Sequence, residues 1–510
     1  MCGIMGIFAS GGDPGVSQED IIAMRDTMTH RGPDDAGIFI YREKEQFVGF
    51  GHRRLSIIDL SSLGRQPMST SDGNLWIVFN GEIFNFIELK EELIKTGKYS
   101  FRSKTDTEVI LYAVREWGID GCLKRLRGMY AFAIFDKSEG TLILVRDPLG
   151  VKPLYYSHFR NSIIFASEIK AIFSMPGFSR KLNEQALYHY LTFANTPAPE
   201  TIFRGIYKLE AGFYLKISKT LRIDKIIYWD PTTFKPNNHS LDEEDYINEI
   251  RRLLRQSVNR RMISDVPIGV FLSGGVDSSL NVALMSELMD RPVDTYSIGI
   301  KGDLFNEFKF ARQTAQLFSA NHHEIIIDED DFVNFLRHMA FFQDEPLGDP
   351  VCVPLYYISK LARDSGTTVI QVGEGSDEIF SGYYIYRLFK ICEQNGYRYY
   401  LKLPEWVKSQ MFRVANKLFN PLISDAFRRA SLNEPLFMGN AIAFWEVEKK
   451  QLLKNCQDMI SSSQFIQNIE SNFLSKDSLR NIINIELKNR LPELLLMRVD
   501  KMSMATSIET

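Results

Sequence analysis

Several features that mark other protein classes are missing from this sequence of 510 residues. Lysine and arginine number 60 against 64 aspartate and glutamate, so the basic excess of a phosphate-neutralising nucleic-acid binder is absent. Apolar runs such as Met129–Phe135 are far shorter than the about 18 residues of a membrane span. The first residues lack the basic start and long apolar core of a secretory signal. We therefore expect a soluble cytoplasmic protein that binds neither nucleic acid nor membrane.

Cysteine is scarce, with five residues scattered at positions 2, 122, 352, 392 and 456 and no Cys-x-x-Cys pair. An odd and scattered set fits neither a disulfide framework nor a zinc site. We expect four of the five to be buried structural thiols. Cys2 differs, because removal of Met1 would place its thiol beside its own α-amino group. That amine could act as general base for the thiol, as it does in N-terminal threonine hydrolases.

The sequence does contain a clear change of pattern along its length. The first part carries short β-branched and aromatic runs, which predict strands at 38–41, 75–79, 130–135, 141–145 and 162–166. Helical patterns lie between them at 18–29, 86–96 and 105–117, the last begun by a Thr105/Glu108 capping box. This combination predicts an α+β domain over residues 1–218. A segment rich in Pro, Asn and Thr predicts a linker at 219–240.

Beyond residue 240, amphipathic helices alternate with short apolar strands. The strands are expected at Val266–Leu272, Thr295–Ile300 and Thr367–Val372. Such alternation predicts an open parallel α/β sheet, and from Tyr386 onward the pattern is almost entirely helical. The predicted second domain covers residues 241–510.

Four short motifs follow the Cys2-Gly3-Ile4 start through the first domain. They begin at residues 30, 51, 79 and 104 and read HRGPD, GHRRLSIID, FNGEI and KTDTE. In this order they resemble the class II glutamine amidotransferase domain, an N-terminal-nucleophile glutaminase. The resemblance implies an αββα sandwich and a Cys2 thiolate that attacks the side-chain amide of glutamine, releasing ammonia.

The resemblance also assigns the groups around that nucleophile. The Asn80 side chain and the Gly81 backbone N–H would stabilise the oxyanion, and loss of one such donor costs about 3–4 kcal/mol of barrier. Arg54 suits the carboxylate of free glutamine through its planar fork. The acids Glu82 and Asp106 suit its ammonium. The expected glutamine-binding set is Arg54, Leu55, Ser56, Ile57, Ile58, Asn80, Gly81, Glu82 and Asp106.

A strand, a Gly-Gly turn and a helix start meet at residues 266–279, which read VPIGVFLSGGVDSS. Backbone N–H groups in such a turn cradle anions. The absence of Gly-Lys-Ser/Thr excludes a Walker loop. The segment is similar to the pyrophosphate-binding loop of N-type ATP pyrophosphatases. This similarity implies that Asp277 is a Mg²⁺ ligand beside the β- and γ-phosphates of ATP.

A second glycine-rich turn, GEGSDE at 373–378, follows the strand Thr367–Val372. Ligands of open sheets bind at the carboxyl ends of strands, so we expect both turns to face one crevice. The resemblance extends here to the synthetase domain of glutamine-hydrolysing asparagine synthetases. It implies Asp377 as a second Mg²⁺ ligand and Glu374 as the group that supports acyl-adenylate formation and accepts a proton from ammonia. The expected ATP-binding set is Phe271, Ser273, Gly274, Gly275, Asp277, Ser278, Ile298, Val372, Gly373 and Asp377.

The two resemblances together imply a carbon–nitrogen ligase. ATP adenylates a carboxylate with release of pyrophosphate, and ammonia from glutamine displaces AMP. Aspartate is the first expectation for the acceptor. However, residues 343–350 read QDEPLGDP and depart from the Thr-Thr-x-Arg segment of the well-described bacterial enzyme. A sugar uronic acid, or another carboxylate of polysaccharide or secondary metabolism, is the alternative.

A second alternative is a catalytically silent interaction protein of the same fold. A β-lactam synthetase would carry a decayed glutaminase, and the intact Cys2, Asn80, Gly81 and Asp106 argue against it. The resemblance suggests a homodimer. The last residues, Arg498–Thr510, resemble a family segment that continues into Arg-x-Pro-Phe and a further helical region with a phosphate-contacting lysine. We therefore expect the chain to be truncated inside that motif.

Overall fold

The structure, a computed structural model, describes residues 2–12, 14–234, 242–302, 307–454, 458–473, 475 and 477–510. We call residues 2–234 the amino-terminal half and 242–510 the carboxyl-terminal half. The strands of the amino-terminal half are β1 (Gly3–Ser10), β2 (Asp35–Glu43), β3 (Gln46–Arg54), β4 (Met68–Ser69), β5 (Leu75–Ile83), β6 (Gly128–Asp136), β7 (Thr141–Arg146), β8 (Tyr155–Phe159), β9 (Ser162–Ala166), β10 (Ile206–Lys208), β11 (Phe213–Ile217) and β12 (Ile223–Ile227).

These strands form two six-stranded antiparallel sheets. The first has the order β10-β8-β9-β1-β3-β2 and the second the order β12-β11-β7-β6-β5-β4. Phe8, Phe50 and Phe165 of the first sheet pack against Val78 and Phe135 of the second in the core between them. Because the central strands are covered on both faces, they are apolar almost throughout rather than alternating; β1 is buried over nearly its whole length.

Helices cover the outer faces of this pair of sheets. The helices of the amino-terminal half are α1 (Gln18–Asp26), α2 (Phe86–Lys95), α3 (Asp106–Arg125), α4 (Ile169–Phe173) and α5 (Glu184–Phe193). Helices α1 and α4 share a core with the first sheet, and α2 and α3 share a core with the second. The αββα sandwich predicted from the sequence is therefore confirmed.

Two local predictions in this half need correction. Thr105 does cap α3, since its side chain accepts a hydrogen bond from the Glu108 N–H. The Glu108 carboxylate, however, accepts from the N–H groups of Arg102 and Ser103 instead of returning to Thr105, so the capping box is only half formed. The predicted linker at 219–240 includes β12, which pairs with β11; residues 235–240 lie outside the described part of the chain.

The carboxyl-terminal half begins with a parallel sheet. Its strands are β13 (Ile268–Phe271), β14 (Asp294–Ile300), β15 (Asn321–Ile327) and β16 (Val369–Gln371), in the order β15-β14-β13-β16. The connecting helices are α6 (Glu243–Arg260), α7 (Val276–Leu288), α8 (Phe308–Leu317), α9 (Glu329–Gln343) and α10 (Cys352–Asp364). The predicted parallel α/β sheet is confirmed. Strand β15 was not predicted, because it opens with four polar residues and shows no apolar alternation.

Beyond β16 the described chain is helical, as predicted. The helices are α11 (Ser376–Phe380), α12 (Tyr384–Cys392), α13 (Arg398–Leu401), α14 (Glu405–Leu418), α15 (Pro421–Ser431), α16 (Glu446–Leu452), α17 (Ser462–Glu470), α18 (Ser478–Lys488) and α19 (Leu496–Met504). After α19 the backbone of Glu509 bonds to Thr368 and Ile370, extending the sheet beside β16. This edge contact carries the tail toward the amino-terminal half.

Buried ion pairs join the two halves. Arg31 pairs with Asp500, Arg146 with Glu493, Lys208 with both Glu345 and Glu493, and Lys170 with Asp344. In each pair the cation belongs to the amino-terminal half and the acid to the carboxyl-terminal half. Pairing of this kind is what permits charges to be buried at all.

The cysteines follow the prediction only in part. Cys122 and Cys352 are free, buried thiols. Cys392, on α12, is exposed, so the expectation of a buried thiol is wrong there; the described face of α12 that carries it is turned to solvent. Cys456 lies outside the described residues.

Candidate active sites

Cys2 lies at the start of β1, where the two sheets of the sandwich meet. It is buried, and its backbone N–H donates to Oδ1 of Asn80 on β5 at 2.9 Å. The side-chain Nδ2 of Asn80 is also buried and has no hydrogen-bond partner among the described residues. Buried donors are nearly always satisfied, so one left without a partner beside a thiol is available to an oxygen of a bound substrate.

Gly81 follows Asn80 on β5 and has a backbone that only glycine tolerates. Its φ is +149°, and a Cβ atom there would lie 2.1 Å from the carbonyl oxygen of Met129. Glycine at this position therefore lets the backbone of β5 lie close to its neighbour β6 at the wall of the site.

A cavity of about 430 Å³ opens in front of Cys2. Most of the residues that the sequence assigned to glutamine line it. Asn80 is not among the lining residues, although its Oδ1 accepts from the Cys2 N–H. Ser56 does not line it: its N–H donates to Asp34, and its side chain faces a separate cavity. The lining residues are Cys2, Arg54, Leu55, Ile57, Ile58, Gly64, Gln66, Phe79, Gly81, Glu82, Thr105, Asp106, Thr107 and Glu509.

Arg54 is held at the cavity by the loop that follows it. Its guanidinium donates to the carbonyl oxygens of Ser61 at 2.9 Å and Ile58 at 3.4 Å, and also to that of Asp59. These bonds fix the plane of a positive group in the cavity wall. A fixed, planar guanidinium is the group that best matches a carboxylate.

Three buried carboxylates face the same cavity. Burial, with Glu509 and Asp106 nearby, raises the pKa of Glu82 well above its usual range. Burial also raises the pKa of Asp106 to about 6, with Glu509 contributing, although Asp106 accepts a hydrogen bond from the Ile83 N–H. A bound ammonium group would relieve this concentration of negative charge. Sequence reasoning missed Glu509, because no local signal links the tail to a cavity in the other half.

The groups around Cys2 set its environment. Burial raises the pKa of its thiol, and the Nε–H of Arg31 donates to its carbonyl oxygen at 3.2 Å. His52 is not a base for it: burial lowers the pKa of His52 to about 3, and its Nε2 lies 3.2 Å from the carbonyl oxygen of Phe79. His52 therefore has a structural role, linking β3 to β5.

The first glycine-rich turn links β13 to α7 in the carboxyl-terminal half. Gly274 has a φ of +88°, and a Cβ atom there would lie 2.8 Å from the backbone of Ala311. The hydroxyls of Ser273 and Ser278 bond to each other at 3.1 Å, and the Ser273 hydroxyl accepts from the Gly275 N–H. The result is a tight turn at the start of a 13-residue helix, a geometry suited to phosphate oxygens.

The second turn, after β16, packs directly on the first. A Cβ atom on Gly373 would lie 3.1 Å from Cβ of Asp277. Burial and the nearby Asp377 carboxylate both raise the pKa of Asp277. Gly382 in turn makes room for Asp377, whose Oδ1 would lie 1.9 Å from a Cβ atom there. The two turns therefore bring two carboxylates together at the carboxyl ends of adjacent parallel strands.

This carboxylate pair matches the way proteins hold Mg²⁺ with a nucleotide. Among the described residues no group of three or more His, Cys, Asp or Glu side chains could hold a metal ion. Mg²⁺, however, is usually bound by one or two carboxylates and completed by phosphate oxygens and water. A bound cation would neutralise the two negative charges of Asp277 and Asp377, which otherwise repel each other. These two residues therefore fit a Mg²⁺ ion.

Three apolar side chains stand at the ends of neighbouring strands beside these turns. Phe271, Ile298 and Val372, each half-buried, pack on one cluster with Tyr296 and Ile370. They belong to the ATP-binding set that the resemblance implies. Half-buried apolar side chains at the carboxyl edge of a parallel sheet form a surface on which a flat base can rest.

Glu374, between the two turns, is bound by an arginine from α19. Nη2 of Arg498 donates to Oε1 of Glu374 at 3.0 Å, and Nη1 of Arg498 pairs with Asp349. Sequence reasoning did not identify Arg498 or Asp349 as part of this group. Arg498 lies 124 residues after Glu374 and 149 residues after Asp349 in the sequence, so no local pattern connects them.

Comparison with known proteins matches both halves. A family model described as a glutamine amidotransferase domain matches residues 1–229, and one described as asparagine synthase matches residues 249–510. In the part of the chain that the structure describes, no helix has the length and apolar content needed to cross a membrane.

Three curated proteins illustrate the similarity. "Asparagine synthetase [glutamine-hydrolyzing] 1" of Bacillus subtilis is 36% identical over 100% of this chain and 78% of its own length. "Putative asparagine synthetase [glutamine-hydrolyzing] 2" of Methanocaldococcus jannaschii is 37% identical over 87% of each chain. "Amidase chry2" of Gibberella zeae is 30% identical over 75% of this chain and 58% of its own.

Solved structures resemble the chain more weakly. A glutamine phosphoribosylpyrophosphate amidotransferase from B. subtilis, in complex with ADP and GMP, covers 73% of this chain and 81% of its own at 16% identity and a TM-score of 0.33. A likeness of that size is too low to support any argument about function.

Proposed function

The chain belongs to the glutamine-hydrolysing asparagine synthetases, and from that membership we propose that it uses ATP and glutamine to amidate a carboxylate by way of an acyl-adenylate, with L-aspartate as the first choice of acceptor. It is a glutamine-dependent carbon–nitrogen ligase. Two features of one chain support the proposal. One is a buried thiol beside Asn80, whose Nδ2 has no hydrogen-bond partner among the described residues, and the other is the pair of glycine-rich turns that bring Asp277 and Asp377 together.

In the first reaction the Cys2 thiolate attacks the side-chain amide of glutamine. A thioester forms, and the amide nitrogen leaves as ammonia once it has gained a proton. Nδ2 of Asn80 and the N–H of Gly81 stabilise the oxyanion. Arg54 holds the carboxylate of glutamine, and Glu82 and Asp106 hold its ammonium, within a wall formed by Leu55, Ile57 and Ile58. Water then hydrolyses the thioester and frees glutamate.

In the second reaction the acceptor carboxylate attacks the α-phosphate of ATP. The turn at Ser273, Gly274, Gly275 and Ser278 holds the leaving pyrophosphate, with Asp277 and Asp377 as the ligands of Mg²⁺, which neutralises phosphate charge when bound. Ammonia attacks the acyl-adenylate, and Glu374 accepts its proton as AMP leaves. Activation is needed because a carboxylate is a poor electrophile. We expect ammonia to travel inside the protein, since in water it would be protonated.

The acceptor is the finer part of the proposal. Aspartate is the first choice from the family. The segment 343–350 contributes Asp349, an acid that Arg498 holds, rather than an arginine free for a second substrate carboxylate. This observation favours keeping a sugar uronic acid, or another carboxylate of polysaccharide or secondary metabolism, as a second candidate.

The test is an acceptor screen with the wild-type chain, ATP, Mg²⁺ and glutamine. Aspartate and uronic-acid sugars are compared, and AMP, pyrophosphate and the amide are quantified. Equal amounts of the three with aspartate support the proposal. Products of ADP and phosphate would overturn the acyl-adenylate route. Failure to turn over any acceptor would favour the interaction protein of the same fold.

The family also suggests that the protein is a homodimer and lies in the cytoplasm.

A further inference from the structure

Arg498 is the only described side chain of α19 that reaches Glu374 through an ion pair. Its Nη2 donates to Oε1 of Glu374 at 3.0 Å, and its Nη1 pairs with Oδ2 of Asp349. Its side chain is only about 12% exposed, as is that of Asp349. The side chain of Glu374 is 24% exposed, so this group is mostly shielded from solvent, and shielded ion pairs are stronger than those on an open surface.

The charge of this small group is unbalanced. One guanidinium stands between two carboxylates, so a net negative charge remains. Burial opposes the charged form of Arg498, but Glu374 and Asp349 outweigh it and raise the pKa of Arg498. Arg498 is consequently a permanent cation at this position, and removing it would leave two partly buried carboxylates without their counter-ion.

Contacts elsewhere in the structure fix both the partner Asp349 and the helix α19 that carries Arg498. Asp349 is fixed in turn, because its Oδ1 accepts from the Val351 N–H at 2.9 Å just before α10. On α19 the neighbouring Asp500 bonds to Arg31, and Lys501 bonds to Asp344 at 3.0 Å. A helix tied at three successive ionic contacts has little freedom to rotate. The guanidinium is therefore delivered to Glu374 in one orientation.

We propose that Arg498 is a positioning residue for amide formation: anchored by Asp349, it holds the Glu374 carboxylate in the orientation needed to accept a proton from ammonia. The inference rests on the proposed role of Glu374. Both terminal nitrogens of Arg498 already bond to carboxylates of this chain, which favours a role in holding Glu374 over one in binding the carboxylate of the acceptor.

A double-mutant cycle in the full chain tests the proposal. Ammonium chloride replaces glutamine, so that only the carboxyl-terminal site is measured, and amide formation is followed at saturating ATP and acceptor. We expect Glu374→Gln to lower kcat about 10²–10⁴-fold, as for loss of a proton acceptor. Arg498→Met should lower kcat about 10–100-fold with KM for the acceptor unchanged within about twofold.

The double variant separates positioning from other roles. If Arg498 acts through Glu374, Arg498→Met has no further effect in the Glu374→Gln background, and the double variant matches Glu374→Gln within about twofold. Arg498→Lys should recover part of the lost kcat, because it restores the charge without the fork. Full additivity of the two losses, or a rise in acceptor KM with kcat unchanged, would overturn the proposal.

Two controls keep the outcomes distinct. Arg252→Met removes the same guanidinium from an exposed ion pair with Glu249 and should leave all rates unchanged. If Arg498→Met does not fold, Asp349→Asn is the substitute variant, because it removes the anchor and keeps the cation. It should lower kcat severalfold in the wild-type background and have no effect in the Glu374→Gln background.

The failure of this inference can be told apart from the failure of the proposed function. A wild-type chain that makes no amide with ammonia refutes the proposed function itself. An active wild type whose variants are additive refutes only the role of Arg498.

Discussion

The guanidinium of Arg31 forms a two-pronged ion pair with the carboxylate of Asp500, Nη1 to Oδ2 at 2.9 Å and Nη2 to Oδ1 at 3.1 Å. Both side chains are completely buried. The remaining Nε–H of Arg31 donates to the carbonyl oxygen of Cys2. A residue beside the predicted nucleophile is thus tied to α19, the same helix that carries Arg498 to Glu374.

Breaking this pair should destabilise the whole chain. We expect Asp500→Asn to lower the free energy of unfolding by about 3–5 kcal/mol, because it leaves the Arg31 cation buried without its main partner. Chemical denaturation monitored by fluorescence measures the change. The exposed Glu249→Gln, which breaks the pair with Arg252, is the matched control and should cost less than about 1 kcal/mol. Equal costs for the two variants would contradict the buried pair.

Cys2→Ala should abolish glutamine hydrolysis and leave amidation with ammonium chloride. The physical reason is that the thiol forms the thioester, while the second site lies on other strands. Glutamate release and amide formation are measured side by side. Cys392→Ala, at an exposed free thiol, is the control and should change neither rate. Glutaminase activity that persists in Cys2→Ala would refute the assignment of the nucleophile.

Asn80→Asp should lower kcat for glutamine hydrolysis about 10²–10³-fold, the cost of losing one oxyanion donor. The substitution keeps an oxygen that can accept from the Cys2 N–H and replaces only the Nδ2 donor with a carboxylate oxygen. The check is steady-state glutaminase kinetics. A lower kcat with KM near that of the wild type would show that the lost hydrogen bond stabilises the transition state. A change confined to KM would instead point to a role in binding glutamine.

Glutamine binding should weaken as the pH falls below about 6. Burial raises the pKa of Asp106 to about 6, from an ordinary value of 3.8. An acid with a raised pKa is protonated below that value, so its attraction for the substrate ammonium is lost on acidification and present above pH 6. The check is KM for glutamine between pH 5 and 8. Asp106→Asn should raise KM about 10-fold or more and flatten its pH dependence, consistent with about 1.5–3 kcal/mol for a charged hydrogen bond.

Asp277→Asn should have opposite effects on two quantities: it should slightly stabilise the ligand-free protein and weaken the binding of ATP with Mg²⁺. Burial and the neighbouring Asp377 raise the pKa of Asp277, so removing one negative charge relieves repulsion and should raise the ligand-free melting temperature slightly. The same change removes a ligand of Mg²⁺ and should abolish the rise in melting temperature that ATP with Mg²⁺ gives the wild type. An unchanged rise would contradict the role of Asp277.

Much of the fold and of the first site could be predicted from the sequence. The segments from Cys2 to Asp106 carry their chemistry in short local motifs, and strand and helix periods mark the two domains. The two glycine-rich turns could be placed together because parallel strands end at one edge of a sheet. The roles in the first site rest on the resemblance of these motifs to a known family, whereas the placing of the turns needs only general rules of sheet topology.

Other features depend on contacts that no local pattern records. Glu509 reaches the cavity in the other half only because its backbone joins the edge of β16. Arg498 meets Glu374 only because α19 packs beside the second turn. Ser56 is turned from the cavity by its bond to Asp34, although its neighbours Leu55 and Ile57 line it. Tertiary packing decides each of these positions.

The sign of the charges across the interface limits how the chain can be rearranged. Cations come from the amino-terminal half and acids from the carboxyl-terminal half in all five buried ion pairs described above. A chimera that joins this carboxyl-terminal half to a foreign amino-terminal half without those cations would strand several acids in the interior, each at a cost of about 3–5 kcal/mol. The two halves are therefore exchangeable only as a matched pair.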